Sequence, residues 1–119
     1  MEDFNYTVGV DVRFRDLDYM EHVNNAVYAT YLEHARANYF EDVIGLELGE
    51  FDFVVARLEI DYVSPIGYRD DVVVGARVPE MGEKSIPMEY VIETDGEVAA
   101  EGETVQVALD DEGEATTVP

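Results

Sequence analysis

Cysteine is missing from the 119 residues, lysine occurs once and serine only twice. Without thiols there is no disulfide framework, no cysteine nucleophile and no thiolate zinc site. The serines, Ser64 and Ser85, do not stand in a G-x-S-x-G elbow, so a serine hydrolase triad is not supported. The glycines spell neither G-x-G-x-x-G nor G-x-x-x-x-G-K-[ST], which leaves dinucleotide and P-loop nucleotide sites without a signature. No apolar run approaches the ~18 residues of a membrane span, and the start, Met1-Glu2-Asp3-Phe4-Asn5, lacks the basic and apolar regions of a secretory signal. A cytoplasmic protein is the expectation.

Acid is what the chain has in excess. Asp plus Glu number 28 against 7 Lys plus Arg, a formal net charge of −21, while 47% of the residues are hydrophobic. That apolar content supports one globular domain over 1–119, so disorder does not explain the charge. The field would repel nucleic acid and anionic lipid, and neither is expected as a partner. Carboxylates run from Glu2 to Glu114 without a long block, whereas the cations are six arginines and Lys84. At molar salt the Debye length falls to about 3 Å and such a surface stops repelling itself. The composition resembles that of proteins from salt-accumulating halophilic archaea.

Along the chain the hydrophobic period changes once. Tyr6, Val8, Val10, Val12 and Phe14 alternate with Thr7, Gly9, Asp11 and Arg13, which predicts a first strand. Arg15 to Asn24 break every period and carry Asp16, Asp18, Glu21 and His22. From about Ala26 to Ile44 the spacing is helical, with Tyr28, Leu32, Ala35 and Tyr39 on one stripe and Thr30, His34, Asn38 and Glu41 opposite. Asn24 or Asn25 would cap this helix and Gly45 would stop it. Beyond Gly49 all is strand: Val54 to Tyr62, Asp70 to Val78, Ser85 to Glu93 and Glu97 to Leu109. Asp95-Gly96 marks a tight hairpin, Gly102 suggests a bulge, and a frayed acidic tail is expected from about Asp110. The order β-α-β-β-β-β is α+β, one helix against an antiparallel sheet of five strands. Its open edges favour a homodimer or homotetramer.

Chemistry is sought in the loop before the helix. Asp16 and Asp18 open like a calcium loop, but Glu21 stands where that loop needs Gly and Val27 where it needs Glu, so no metal is expected. Asp16, directly after a strand, reads as a turn-former, and His22 as a hydrogen-bonded structural imidazole.

The string Phe14-Arg15-Asp16-Leu17-Asp18-Tyr19-Met20-Glu21-His22-Val23-Asn24-Asn25-Ala26-Val27-Tyr28, with Tyr31-Leu32-Glu33-His34-Ala35-Arg36 and Tyr39-Phe40, resembles the signature of hotdog-fold acyl-CoA thioesterases of the 4-hydroxybenzoyl-CoA thioesterase type. The resemblance implies a five-stranded sheet wrapped around one long helix. It implies Asp18 as nucleophile or general base on an acyl-CoA thioester, and the Asn25 backbone N–H as the donor that polarises the carbonyl. His22 and Asn24 would orient Asp18, the water or the loop. Lys84 and Ser85, with Arg57 and Arg69 as weaker candidates, would meet coenzyme A phosphates. Coenzyme A is then part of the substrate, and no separate cofactor is implied. Two positions depart from the pattern: Glu21 replaces a glycine common among relatives, and Met81-Gly82-Glu83 replaces a basic run. A non-catalytic acyl-CoA binding module is the alternative. A hotdog hydratase fits less well, because the Asp-x-Asp loop precedes the helix.

Overall fold

The computed structural model describes residues 3–46 and 51–119. Five strands, β1 (Tyr6–Val10), β2 (Asp52–Tyr62), β3 (Val72–Arg77), β4 (Ser85–Thr94) and β5 (Glu97–Leu109), form one antiparallel sheet in the order β1-β3-β4-β5-β2. Among the described residues a single α-helix, α1 (Val27–Tyr39), packs on one face. This is the hotdog arrangement expected from the sequence. The expected start of the strand region, at Gly49, lies outside the described residues. Among the described residues no helix is long and apolar enough to cross a membrane.

The helical stripe faces where its spacing placed it. Tyr28, Leu32, Ala35 and Tyr39 are buried, joined by Tyr31, against Val72, Val74, Ala76, Ile86, Met88, Tyr90 and Ile92 of the sheet. Regular α-helix ends at Tyr39. Phe40–Ile44 close as a π-helical turn in which the Gly45 N–H reaches the Phe40 carbonyl at 2.8 Å, and Gly45 adopts φ +85 as the left-handed stop.

Four expectations are corrected. First, β1 ends at Val10, and Phe14–Asp16 form a 3₁₀ turn, because Asp16 is drawn inward. Second, the β5 bulge falls where Ile92 pairs Ala100 but Glu93 pairs Val98, whereas Gly102 keeps regular pairing with Ile60. Gly102 has another reason: a Cβ there would lie 3.0 Å from Leu32 Cδ1, so its hydrogen lets the helix approach the sheet. Third, the sequence alternates Val54, Ala56, Leu58, Ile60 and Tyr62 with Val55, Arg57, Glu59 and Asp61, but a bulge in β2 between Val55 and Arg57 shifts that alternation. Phe53 and Val55 therefore share the helix-side face with Leu58, Ile60 and Tyr62, and Val54 turns outward. Fourth, the tail does not fray. Asp110 Oδ1 accepts the Glu112 and Glu114 N–H groups, both at 2.9 Å. The chain then doubles back until the Val118 N–H reaches the Glu83 carbonyl at 2.9 Å.

The hairpin between β4 and β5 turns through Asp95 (φ +51) and Gly96 (φ +83), the positive φ pair that matches strand twist.

Candidate active site

Asp16 is the anchor of the loop. It is 2% exposed, and its carboxylate meets three donors: the Arg13 N–H (2.9 Å), the Tyr31 hydroxyl (2.9 Å) and the Arg13 guanidinium (3.1 Å). Its carbonyl accepts the Asn24 N–H at 2.8 Å. Burial alone would raise its pKa, but the Arg13 and Tyr31 donors outweigh burial and hold the carboxyl below its ordinary value. Burial, reinforced by the same carboxylate, pushes the Tyr31 hydroxyl up. Asp16 thus ties residues 13 and 31 through its side chain and residue 24 through its carbonyl.

From that anchor rises a short hairpin. Leu17 bridges Val23, the Asp18 N–H reaches the His22 carbonyl at 2.8 Å, and the Glu21 N–H reaches the Asp18 carbonyl at 3.0 Å. Closing the turn puts Glu21 at φ +66, in the left-handed region that favours glycine. The loop keeps its shape and accepts the strain. Asp18 Oδ1 receives the Met20 N–H (2.8 Å) and the His22 N–H (3.3 Å), while Oδ2 has no hydrogen-bond partner among the described residues. One oxygen fixes the carboxylate and the other is unengaged among the described residues. The hairpin docks on the β2–β3 connection through the Val23 N–H on the Ile66 carbonyl (2.8 Å) and a bridge between His22 and Gly67.

The helix begins beside it. The sequence expectation of an Asn cap is corrected by one or two positions, since Ala26 occupies the N-cap without a side-chain cap. Asn24 instead forms an Asx turn, its Oδ1 accepting the Ala26 N–H at 2.9 Å. The Asn25 N–H has no acceptor among the described residues. Its carbonyl is held by the Tyr62 hydroxyl at 2.8 Å, and Tyr62 meets Tyr28 edge to face at 4.9 Å. An unused amide at the positive end of a helix is a donor for a developing oxyanion. A carboxylate oxygen and that amide lie on consecutive turns of the same chain segment.

Asp18, His22, Asn24 and Asn25 therefore come together, although His22 contributes its backbone and its imidazole makes no hydrogen bond or ion pair with Asp18. Lys84 and Ser85 do not join them within one chain. Ser85 pairs Val107, which pairs Val54, whereas the Asn25 carbonyl is held at Tyr62. Those ends of β2 are on the order of 25 Å apart at about 3.3 Å per residue. Arg57 is held by Glu59 and, at 3.7 Å, by Glu103 on the outer face of the sheet. The aromatics divide likewise: Phe51 and Phe40 contact Phe53 at the far end of β2, and Tyr28 contacts Tyr62 at the near end. Sequence reasoning missed Tyr62, Arg13 and the Tyr31 hydroxyl, because alternation and helical spacing assign a tyrosine to a face but say nothing of where its oxygen points. Among the described residues no three His, Asp or Glu side chains converge on a metal position.

A five-stranded antiparallel sheet with one long helix on its face, among the described residues, is the hotdog fold. Within it, residues 12–119 match the thioesterase-like superfamily, and the chain belongs to that family and is a thioester hydrolase. It is 30% identical over 106 residues to the long-chain acyl-CoA thioesterase FadM of Escherichia coli (strain K12), covering 85% of this chain and 80% of that one. A chloroplastic acyl-acyl carrier protein thioesterase of Arabidopsis thaliana is 35% identical over 83 residues, which are 66% of this chain and 43% of the plant protein. Among solved structures, a Thermus thermophilus thioesterase complexed with coenzyme A and Zn superposes with a TM-score of 0.89 at 48% identity, covering 100% of this chain and 89% of that one.

Proposed function

We propose that the protein hydrolyses an acyl-CoA thioester to the free acid and coenzyme A. Asp18 acts as nucleophile or general base, and the Asn25 N–H receives the charge that develops on the carbonyl oxygen. The observation that carries this reading is the asymmetry of Asp18, one oxygen tied by two loop amides and the other unengaged beside a helix terminus with a free N–H. The acyl-CoA activity of the Escherichia coli relative and the coenzyme A bound to the Thermus relative support the choice of carrier. Asp18→Asn preserves both loop hydrogen bonds, since an amide oxygen still accepts. It should lower kcat on a panel of acyl-CoAs in 2–3 M KCl by about 10²–10⁴-fold with an unchanged melting temperature. Full activity in that variant would remove Asp18 from the mechanism.

The working form in this reading is a homodimer paired along β2. That strand runs for 11 residues as a sheet edge, with Val55, Leu58 and Tyr62 each about half exposed. An edge so long and apolar invites a second copy. Antiparallel pairing about a two-fold axis at mid-strand would set the partner's Val54 end, and with it the partner's Lys84 and Ser85, beside this chain's Asp18. Lys84 has no carboxylate partner among the described residues despite the −21 charge, which suits a phosphate contact. A salt-rich cytoplasm is the setting we assign to the acidic surface.

A further inference from the structure

Two more cations go without a carboxylate or a hydroxyl partner. Among the described residues Arg15 and Arg69 form no ion pair, in a chain where acids outnumber bases fourfold, while Arg13 and Arg77 each hold one carboxylate, Arg57 holds two, and Arg36, also without a carboxylate, is engaged by the Tyr90 hydroxyl. Both flank an aromatic pair. Phe14 and Tyr68 meet edge to face at 6.1 Å, Phe14 is 76% exposed and Tyr68 45% exposed, and the Arg69 guanidinium lies over the Tyr68 ring at 5.8 Å. These four residues come from two loops that grip the Asp18 hairpin: Phe14 and Arg15 lead into it, and Tyr68 and Arg69 follow Gly67, which bridges His22. Leaving a large ring in water beside an unneutralised arginine, twice on one ledge, has no use in packing.

The geometry points to this ledge as a subsite for the phosphorylated purine nucleotide end of the substrate's carrier, an inference that rests on the acyl-CoA reading above and adds a place for the nucleotide. A purine has the flat face that an exposed Phe or Tyr stacks against, and a guanidinium offers paired donors to phosphate oxygens. The unpaired guanidinium groups of Arg15 and Arg69 make the ledge a local exception in an otherwise acidic surface, which suits a phosphate. Stacking also survives molar salt, where contacts made by charge alone are screened. The partner's Lys84, where it reaches the site, adds to this ledge and does not replace it.

The test compares two substrates of one acyl group, the acyl-CoA and the acyl-N-acetylcysteamine thioester, which lacks the nucleotide. Arg15→Gln/Arg69→Gln and, separately, Phe14→Ala/Tyr68→Ala should each lower the ratio of kcat/KM for the first over the second by about fivefold or more. Adenosine 3′,5′-bisphosphate should bind the unaltered protein by calorimetry and bind both variants more weakly. An unchanged ratio, with bisphosphate binding unaffected, would overturn the ledge. So would variants whose effect is a change of oligomeric state, which would make the patch a contact between copies. If the unaltered protein hydrolyses neither thioester, the acyl-CoA reading itself fails. If it hydrolyses both equally well and no bisphosphate binds, only the ledge does.

Discussion

Asp16 and Asp18 are two positions apart and chemically identical, yet their surroundings assign them different work. Asp16 is buried on three donors and is structural; Asp18 has one oxygen tied and one unengaged. Because the folded Asp16 pKa lies below the ordinary value near 3.8, its stabilisation is complete above that value and is lost as pH falls through the lower, folded one. Asp16→Asn should therefore be less stable at neutral pH and show a shallower loss of stability below about pH 4, measured by urea unfolding across that range. Glu21 offers the opposite sign. A non-glycine residue in the left-handed region costs roughly 1–2 kcal/mol, and glycine returns part of that in chain entropy, so Glu21→Gly should stabilise by about 0.5–1 kcal/mol in thermal melts. The acidic loop is legible in sequence as a site, but the division of labour is not. Which aspartate is buried depends on the Tyr31 hydroxyl, fifteen residues away.

At the scale of elements, periodicity is a good guide wherever both faces of a segment differ in polarity. The helix and its stripe, and β4 and β5, fall close to their expected bounds. It misleads in β5, where the face toward the core carries Ala100, Gly102, Thr104, Gln106 and Ala108, while Val105 and Val107 point outward. Small and polar residues sit inside, where the Leu32 side chain reaches in to Gly102 and where Tyr90 and Gln106 find partners, on Thr104 and on the Ile86 carbonyl. Gly102→Val tests that closeness. Its branched side chain would press on Leu32 and on the Glu59 carbonyl, and we expect a loss of about 1–3 kcal/mol in denaturant unfolding. The tail departs from expectation for a related reason: charge density suggests fraying, but backbone turns at Asp110 and Gly113 carry it back onto the sheet.

Over the whole molecule, charge sets the conditions under which the fold is comfortable. On the outer face of the sheet Glu89 stands opposite Glu103, and Glu103 opposite Glu59, so three carboxylates lie abreast across β4, β5 and β2. Like charges directly opposite are destabilising, and Arg77 on Glu89 (2.8 Å) and Arg57 on Glu59 and Glu103 relieve only part of it. Stability to urea should therefore rise between about 0.05 and 2 M KCl, as the Debye length shrinks to a few ångströms. A flat or falling dependence would mean that this face is not under electrostatic load.

Tyr62 belongs to two structures at once. Its backbone ends the exposed edge strand, and its hydroxyl holds the carbonyl of Asn25, the residue whose amide we propose as the oxyanion donor. Under the pairing proposed for β2, whatever steadies that edge steadies the proposed oxyanion donor, so a chain deprived of its edge partner is expected to lose catalytic precision while still folded. Dilution would then silence the enzyme before it unmade it.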